Sequence, residues 1–328
     1  MTIEKIKLAL ICTQGGHFEQ LTNLSELYNR YDHFWITNEN NQTRSALSTE
    51  KIYFVAMAHF KKPWSYLEQV PTFLKVFRKE KPTHILSTGS GRTAFIPLIY
   101  SKLFGINFLY IDTFSRVNGY SKFGSFLLLF GQQIFCQWED NKNQKAVYIG
   151  PVFKKIQYSN NIQVSNSDYI FVTVGTRSEP FTRLIKYIDD LKKEGTIKEK
   201  VIVQAGRTKY TSDNLEIFDF CSPDEIEELI DNAKFVVTQE SAGIGSICLK
   251  HQTRFIVVPR DYKHGELPTK SDMKEDLHFK LEEMGYTNVV NNLGELKKSI
   301  KNIVNLKTGF PFDNTLAIQK LTDAIKKS

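Results

Sequence analysis

Short apolar runs rich in Ile, Val and Phe alternate with amphipathic segments along the whole chain. Such runs are typical of buried strands, and the segments between them are typical of helices that cover a parallel sheet. The pattern predicts strands at residues 6–12, 33–37, 51–55, 84–87 and 107–112, and again at 169–174, 200–205, 215–218, 235–238 and 254–259. It predicts helices at 64–79, 181–193 and 223–233. The fold class is therefore α/β, with a Rossmann-like doubly wound domain in each half.

A polar segment without periodicity, residues 151–168, separates the two halves and is interpreted as a linker. The chain has 328 residues, more than a single hydrophobic core usually supports. We therefore predict one domain over residues 1–160 and a second over 161–328. Residues 314–327 predict a closing amphipathic helix that is free to pack back on the first domain, with apolar positions Leu316, Ile318, Leu321 and Ile325.

Several predicted strands run directly into a turn that contains glycine. Glycine lets backbone N–H groups approach a ligand closely, and a helix that starts there turns its positive end toward phosphate. None of these turns has the strict spacing of a dinucleotide-binding or P-loop motif, which disfavours dehydrogenases and P-loop enzymes. Since such turns meet at the carboxyl ends of parallel strands, we expect a nucleotide-type cleft lined by Gly15, Gly16, Gly89, Gly175, Gly206 and Gly243.

The net charge of +7 is unevenly distributed. Residues 1–150 carry 17 Lys and Arg against 11 Asp and Glu, whereas the remainder carries 26 against 25. A basic first half suits an anionic partner, such as a phospholipid surface or a pyrophosphate, and it equally suits simple solubility. No basic helix, zinc-ligand spacing or RNA-binding aromatic motif is present, so nucleic acid is not expected as a partner.

The four cysteines lie far apart without a Cys-x-x-Cys pair, and the first residues lack the apolar core of a signal peptide. These features favour a reducing, cytoplasmic location. No apolar stretch is long enough to cross a membrane. The run at 121–135 is nevertheless too apolar on all sides for an ordinary surface helix, and it fits either burial in the core or docking on a membrane, with Lys102, Arg116 and Lys122 near anionic headgroups.

Three segments of the first half resemble the acceptor-side subunit of the bipartite UDP-GlcNAc transferase that extends dolichol-linked GlcNAc, and its bacterial counterparts in capsule and exopolysaccharide synthesis. They are residues 13–19, 87–116 and the triplet Gln137-Trp138-Glu139. In the second half, residues 171–176, 236–247 and 256–260 resemble the donor-side partner, a family 28 glycosyltransferase C-terminal domain. The chain is similar to the two subunits fused head to tail.

The resemblance implies the GT-B architecture, with a UDP-sugar held by the second half and a polyprenyl-pyrophosphate-linked acceptor held by the first. It also implies a peripheral position on the inner face of the cell membrane, and it leaves oligomeric state open. The chain departs from the donor-side pattern at two places. Ser241-Ala242-Gly243 stands where the family has His-Ala-Gly or His-Gly-Gly, and Asp272-Met273-Lys274 stands where it has Asp-His-Gln. Donor identity is therefore open among UDP-galactose, UDP-glucose, UDP-GlcNAc and UDP-glucuronic acid.

An inverting transferase needs one general base for the acceptor hydroxyl and a way to stabilise the departing UDP. His17 follows Gly15-Gly16 at the end of the first strand, and the similar lipid-linked GlcNAc transferase of peptidoglycan synthesis has a Gly-Gly-His loop there. We predict His17 as the base, with Asp112 and Glu19 as substitutes; each could instead cap or start a helix. Predicted acceptor-binding residues are Gly15, Gly16, Gly89, Ser90 and Arg116.

For the leaving group we predict the backbone amides of residues 243–246 at a helix start, supported by the Ser246 hydroxyl. Arginines that follow strands suit a pyrophosphate or the base, although they also suit the surface, and acidic residues suit ribose or sugar hydroxyls. The predicted donor-binding residues are Gly175, Thr176, Arg207, Glu240, Ser241, Gly243, Gly245, Ser246, Arg260 and Glu266. No Asp-x-Asp motif is present, so we expect no metal ion and no cofactor besides the donor substrate.

Two other functions fit parts of the sequence. A UDP-sugar 2-epimerase would share the two domains and the donor but would need no lipid acceptor. A non-catalytic scaffold that binds a nucleotide sugar, or anchors a partner transferase, would need only one of the two sets of motifs. The sequence favours an inverting hexosyltransferase that forms a β-linkage, because donor-side and acceptor-side motifs occur together.

Overall fold

The computed structural model describes residues 6–59, 62–155, 168–268 and 276–327. The chain divides into two compact units, of which unit 1 comprises residues 1–156 with 312–328 and unit 2 comprises residues 157–311. The division after residue 156 lies inside the polar segment 151–168. The C-terminal helix is part of unit 1.

Within the described residues, unit 1 is built on a sheet of seven parallel strands in the order β3-β2-β1-β4-β5-β6-β7. The strands are β1 Lys7–Cys12, β2 Asp32–Thr37, β3 Ile52–Phe54, β4 His84–Thr88, β5 Asn107–Ile111, β6 Ile134–Cys136 and β7 Ala146–Tyr148. The strand order reverses between β1 and β4. At such a switch point the loops that follow the two strands diverge and leave room for a ligand.

The helices of the first 150 residues cover both faces of this sheet. They are α1 Gly16–Thr22, α2 Ser25–Tyr28, α3 Asn41–Ala46, α4 Trp64–Leu67, α5 Val70–Glu80, α6 Gly91–Phe104 and α7 Lys122–Leu129. Ser90 caps α6 by accepting a hydrogen bond from the Arg92 amide at 3.3 Å, and Gly105 ends the helix in the left-handed conformation.

Unit 2 has, among its described residues, six parallel strands in the order β10-β9-β8-β11-β12-β13. They are β8 Tyr169–Thr173, β9 Lys200–Gln204, β10 Glu216–Phe218, β11 Val236–Thr238, β12 Phe255–Val257 and β13 Thr287–Val289. The helices are α8 Thr182–Lys193, α9 Pro223–Asp231, α10 Ala242–Lys250, α11 Asp276–Glu283 and α12 Leu293–Lys301. The switch point of this sheet lies between β8 and β11.

The two-residue period of β1 explains how the core of unit 1 is divided. Leu8 and Leu10 face one side of the sheet, whereas Ala9 and Ile11 face the other side. The last helix, α13 Thr315–Lys326, covers the side of Leu8 with its buried residues Ala317, Ile318, Leu321 and Ile325. Leu316, which the sequence pattern assigned to the apolar face, is instead exposed.

All ten strands predicted from the apolar runs are present, which confirms the α/β class with two doubly wound sheets. Three described strands were not predicted, namely β6, β7 and β13, because none of them stands out as a separate apolar run. The helix predicted at 64–79 is two helices, α4 and α5, and Pro71 stands in the first turn of the second one.

The apolar run at 121–135 is not one helix. Its first part forms α7 and its last part forms the buried strand β6. Within α7, Phe123 and Leu127 are buried in the core, while Leu129 and the following Phe130 are 81% and 72% exposed. One portion of the run is therefore core, as one interpretation expected, and another is exposed apolar surface; docking of that surface on a membrane stays a prediction.

Candidate active site

The switch point of unit 1 carries the first group of predicted site residues. The rim of unit 1, meaning the loops that follow β1, β4 and β5, contains Gly15, Gly16 and His17 after β1 and Gly89 and Ser90 after β4. Because β1 and β4 are neighbours in the sheet, the first residues of the two loops lie close together before the loops diverge. The sequence prediction that these two glycine turns lie together is confirmed by this pairing.

The His17 side chain lies directly against Gly89. A Cβ atom added to Gly89 would stand 1.7 Å from Nδ1 of His17, so only glycine leaves room for the ring. Gly89 also has φ +77°, a conformation that other residues adopt at a cost. The Thr88 hydroxyl donates a 2.7 Å hydrogen bond to the His17 carbonyl and fixes the backbone at the same place. The imidazole is thus held at the switch point by the shape of the β4 loop.

The environment of His17 keeps its ring neutral. Burial, together with the smaller effect of the positive charge of Arg92, lowers the pKa of the imidazole to about 4. Nδ1 is buried without a hydrogen-bond partner among the described residues, whereas the residue as a whole is only half-buried. A neutral imidazole can accept a proton, so the group has the correct protonation state for a general base near pH 7.

Arg92 is a site residue that the sequence analysis missed. It stands in the first turn of α6, next to the capping Ser90, and its charge acts on His17. The signal was present in the sequence, as an arginine directly after Thr88-Gly89-Ser90-Gly91 at the end of β4. A helix start with an arginine suits a phosphate group.

The Asp112 carboxylate stabilises the loop between β5 and α7 through hydrogen bonds. Its carboxylate accepts hydrogen bonds from the backbone amides of Thr113 at 3.0 Å and Ser121 at 2.9 Å. Burial raises its pKa, and the hydrogen bonds from Ser121 and Thr113 oppose that rise. A Cβ on Gly124 would lie 2.7 Å from Asp112 Oδ2, which shows how closely α7 packs on the carboxylate. This geometry favours a positioning role over that of a substitute base.

Tyr110 links the loop held by Asp112 to Gly89, against which the His17 ring lies. Its hydroxyl donates a hydrogen bond to the Gly89 carbonyl and lies 3.1 Å from the Ser121 hydroxyl. The loop after β4 and the start of α7 therefore share one buried polar group, which couples their positions.

A buried amide pair ties the remaining loops of the rim together. Gln20 accepts hydrogen bonds from Gln137 at 2.7 Å and from the Phe114 amide at 3.0 Å, and Gln137 also donates to the Asp112 carbonyl at 2.8 Å. Glu19 lies in the first turn of α1, beside this pair. Arg116 is half-buried in the loop between β5 and α7, where its carbonyl accepts a hydrogen bond from Asn141. Gln137, which belongs to one of the motifs that resemble the acceptor-side subunit, thus links α1 to the loop after β5.

The rim of unit 2, meaning the loops that follow β8, β9, β10 and β11, repeats the arrangement with different chemistry. Gly175 after β8 has φ +72°, and a Cβ there would lie 1.9 Å from the side-chain nitrogen of Gln239, which follows β11. Gly206 after β9 approaches as closely, since a Cβ there would lie 2.3 Å from the Gly175 carbonyl oxygen. Both glycines are therefore needed for the close approach of three loops.

The start of α10 offers amides for an anion. Ser241 caps the helix, accepting a hydrogen bond from Ile244 N at 3.4 Å through its hydroxyl and from Gly245 N at 2.9 Å through its carbonyl. Ala242 and Gly243 precede these bonds, and the first amides of a helix have no acceptor within it. Gly243 is exposed, whereas Gly245 and Ser246 are buried. Of the predicted amides 243–246, those of Ile244 and Gly245 are used by the cap, so the diphosphate contact shifts toward the helix start, to Gly243 and the unpredicted Ala242.

The side chains of Arg260 and Glu266 form hydrogen bonds with other residues of unit 2. The buried Arg260 guanidinium donates to the carbonyls of Val174 at 2.8 Å and Glu179 at 2.7 Å, and to the Gln239 side chain. Both carboxylate oxygens of Glu266 accept 2.8 Å hydrogen bonds from Arg183. These bonds favour a structural role for both residues over the predicted contacts with the donor.

Other predicted donor residues are accessible. Thr176 and Arg207 are exposed in the loops after β8 and β9, and Glu240 is half-buried beside the Ser241 cap. Two further exposed residues of this rim were not predicted. Arg177 follows Thr176 and lies close enough to Arg260 to lower its pKa, and Phe220 follows β10 with 51% of its surface exposed. Phe220 also lies 3.8 Å from the position of a Cβ on Gly206.

Some sequence predictions lie beyond these observations. The segment Asp272-Met273-Lys274 lies outside the described residues. Among the residues that the structure describes, no group of three or more His, Cys, Asp or Glu side chains is placed to hold a metal ion. No described helix combines the length and the apolar character needed to span a membrane.

Comparison with known proteins places these features in context. Residues 169–327 match the sequence model of the glycosyltransferase family 28 C-terminal domain. No curated protein sequence matches the chain.

Solved structures with the same fold cover nearly the whole chain. MurG from Acinetobacter baumannii is 13% identical with a TM-score of 0.63, covering 98% of this chain and 100% of its own. MnaA from S. aureus, solved with UDP, is 14% identical with a TM-score of 0.69 and coverages of 98% and 96%. A UDP-GlcNAc 2-epimerase from Methanocaldococcus jannaschii, in complex with UDP-GlcNAc and UDP, is 15% identical with a TM-score of 0.67 and coverages of 98% and 100%. The chain therefore has the GT-B fold, and its residues 169–327 are similar to the glycosyltransferase family 28 C-terminal domain.

Proposed function

We propose that the protein is an inverting glycosyltransferase that moves a hexose from a UDP-sugar to a polyprenyl-pyrophosphate-linked sugar and forms a β-linkage. The main support for the proposal is the neutral imidazole of His17, which packs against Gly89. The second half of the chain also matches a glycosyltransferase domain. The resemblance of the first half to acceptor-side subunits supports a role in bacterial exopolysaccharide or capsule synthesis.

In this proposal His17 is the general base. It takes the proton from the acceptor hydroxyl while the oxygen attacks the anomeric carbon and the bond to UDP breaks. An imidazole with a pKa of about 4 is a weak base in the free enzyme. The negative charge of an acceptor pyrophosphate bound at the start of α6, beside Arg92, raises that pKa toward the working pH. The acceptor would thereby activate its own base.

Unit 2 holds the donor in this proposal. The amides of Ala242 and Gly243 bind the diphosphate and stabilise the charge that develops on UDP as it leaves. The exposed Phe220 ring stacks on the uracil, and Arg177 and Arg207 are accessible for the phosphates. Because these amides and arginines stabilise the negative charge that develops on UDP, the mechanism requires no metal ion.

The proposal also includes docking of unit 1 on the cytoplasmic face of a membrane. Trp64 on α4 is 73% exposed, and Leu67, Leu129 and Phe130 are exposed on α4 and at the end of α7. Large apolar side chains with lysines beside them, here Lys122, favour insertion into the headgroup region of an anionic bilayer. Replacement of Leu129 and Phe130 by glutamate should abolish sedimentation with anionic liposomes, whereas Phe279→Glu, which changes an exposed ring of unit 2, should not.

The test of the activity is a donor panel on the full-length protein. UDP-galactose, UDP-glucose, UDP-GlcNAc and UDP-glucuronic acid are each incubated with a polyprenyl-pyrophosphate-linked sugar, with and without a chelator. We expect acceptor-dependent release of UDP from one donor, a β-linked product, and no loss of rate with the chelator. An α-linked product, or turnover that stops on chelation, would contradict the mechanism.

A UDP-sugar 2-epimerase is the second candidate, since the similar structures include UDP-GlcNAc 2-epimerases. It predicts conversion of UDP-GlcNAc to its C2 epimer without any lipid acceptor, which proton NMR of the nucleotide sugar detects. A scaffold would bind UDP and show neither reaction.

A further inference from the structure

An apolar cavity of about 290 Å³ opens beside the first turn of α6 in unit 1. Aromatic side chains from three helices form its walls, with Gly91 at one end and a lysine at the edge. The lining residues are Tyr66, Gly91, Phe95, Lys122, Phe123 and Phe126. No residue of this cavity takes part in the proton transfer or in donor binding proposed above.

The rings of the cavity pack against one another and continue to the surface. Tyr66 and Phe95 lie 5.7 Å apart between ring centroids, and Phe95 and Phe126 lie 6.0 Å apart. Phe126 in turn lies 4.7 Å from the exposed ring of Phe130. The cavity is therefore one end of an apolar path that leads to the exposed end of α7.

The other end of the path is cationic. Gly91 stands between the capping Ser90 and Arg92 at the start of α6, where the acceptor pyrophosphate is proposed to bind. Lys122 borders the cavity from the start of α7. The site thus joins a place for an anionic head to a place for a hydrocarbon tail.

We propose that this cavity binds the isoprene units next to the pyrophosphate of the lipid-linked acceptor. The inference rests on the proposed acceptor class and adds that the enzyme recognises the lipid chain directly. A cavity of this volume is at the lower end of small-molecule sites, so it holds a short stretch of the chain. The path along Phe126 and Phe130 leads the rest of the chain toward the exposed apolar side chains of α7.

The probes are two prenyl pyrophosphates that share a head and differ in tail, isopentenyl pyrophosphate and farnesyl pyrophosphate. Both are titrated calorimetrically into the full-length protein, below the concentration at which farnesyl pyrophosphate forms micelles and without donor. We expect farnesyl pyrophosphate to bind at least about tenfold more tightly, because burying two methylene groups is enough for that ratio.

Two variants assign this ratio to the cavity. A Cβ at Gly91 would lie 2.8 Å from a ring carbon of Phe123, so Gly91→Ala should push that ring into the cavity and reduce the ratio to less than about threefold. Tyr66→Glu places a charge at the half-exposed edge and should do the same. Phe104→Ala, which removes an exposed ring from the far end of α6, should keep the wild-type ratio. Affinity for isopentenyl pyrophosphate should be unchanged in Phe104→Ala. In Gly91→Ala and Tyr66→Glu it should fall by less than the affinity for farnesyl pyrophosphate, whose longer tail uses more of the cavity.

Two results would overturn the inference, namely equal affinities of the wild-type protein for both probes, or a full ratio in both Gly91→Ala and Tyr66→Glu. Circular dichroism and thermal melting show that the variants fold. Transferase activity with the lipid acceptor is measured separately. Turnover without a tail ratio refutes only the cavity, whereas a tail ratio without turnover refutes only the proposed transfer.

Discussion

The rims of the two units share an arrangement and differ in chemistry. In both, a side chain from one loop of the switch point covers a glycine with positive φ in the other loop: His17 covers Gly89 in unit 1, and Gln239 covers Gly175 in unit 2. The imidazole can exchange a proton and the amide cannot. This difference agrees with the proposed function, in which proton transfer belongs to unit 1 and binding of the donor diphosphate belongs to unit 2.

The difference extends to the arginines. Arg92 in unit 1 acts on the His17 imidazole through its charge, whereas Arg260 in unit 2 is buried and donates to backbone carbonyls. Because the N–H groups of Arg260 donate to carbonyls of its own unit, this arginine stabilises loops and does not contact a ligand with those groups. The charged groups left for a ligand in unit 2 are exposed ones such as Arg177 and Arg207.

The largest expected effect comes from removing the imidazole. His17→Ala should lower kcat by about 10² to 10⁴, the usual contribution of a general base, and should leave the Kd for UDP unchanged because UDP is assigned to unit 2. Steady-state kinetics and calorimetry measure the two quantities. Near-normal turnover at saturating donor and acceptor would remove His17 from the mechanism.

Phe220→Ala tests the opposite side of the comparison. Loss of base stacking should weaken UDP binding by about 1–3 kcal/mol, and affinity for a prenyl pyrophosphate should be unchanged. Calorimetry with UDP and with isopentenyl pyrophosphate checks both. Phe279→Ala, the removal of another exposed ring of unit 2, is the control and should bind UDP normally. An unchanged Kd for UDP in Phe220→Ala would exclude the stacking contact.

The two covered glycines should separate the functions of the rims. Alanine at either Gly89 or Gly175 should cost about 1–2 kcal/mol of stability for its backbone conformation, and more for the displaced side chain. We expect Gly89→Ala to lower kcat without weakening UDP binding, and Gly175→Ala to weaken UDP binding. Urea unfolding, kinetics and calorimetry measure these changes.

The controls are Gly119→Ala and Gly195→Ala, in units 1 and 2. Both positions have positive φ, but an added Cβ would have no neighbour within 4 Å. They should show the backbone cost alone. If the controls change kcat or the UDP Kd as much as the covered glycines do, the covering side chains have no functional role.

The smallest expected effect is a shift in the pH dependence. Because the His17 pKa is lowered to about 4 in the free enzyme, the acid limb of kcat/KM should lie well below pH 6 instead of near the ordinary value of 6.5. The limb of kcat, which reports the complex, should lie at higher pH, since a bound pyrophosphate stabilises the imidazolium. Arg92→Gln removes a positive charge and should move the kcat/KM limb upward. A limb near pH 6.5 in the free enzyme would contradict the burial of the ring.

The apolar pattern determined the class of fold, ten of the described strands and the existence of two doubly wound sheets, because buried strands must be apolar wherever they occur. It also placed His17 and the glycine turns at strand ends, which parallel pairing then brings together. Strands β6, β7 and β13 were missed because none of them forms a separate apolar run. β6 begins inside the apolar run at 121–135, β7 directly follows the polar residues 139–145, and β13 contains the polar Thr287 and Asn288.

Only the tertiary structure decided which polar residues remain for a ligand. Asp112, Arg260 and Glu266 have the residue types and the positions after strands that functional groups have. The hydrogen-bond partners of Arg260 and Glu266 lie far along the chain, whereas the Asp112 carboxylate is held by the amides of nearby Thr113 and Ser121 in a folded loop. Burial likewise sets the pKa of His17, and no local pattern contains it. The sequence determines which polar groups are present, whereas packing in the folded chain decides which of them already bond to other protein groups.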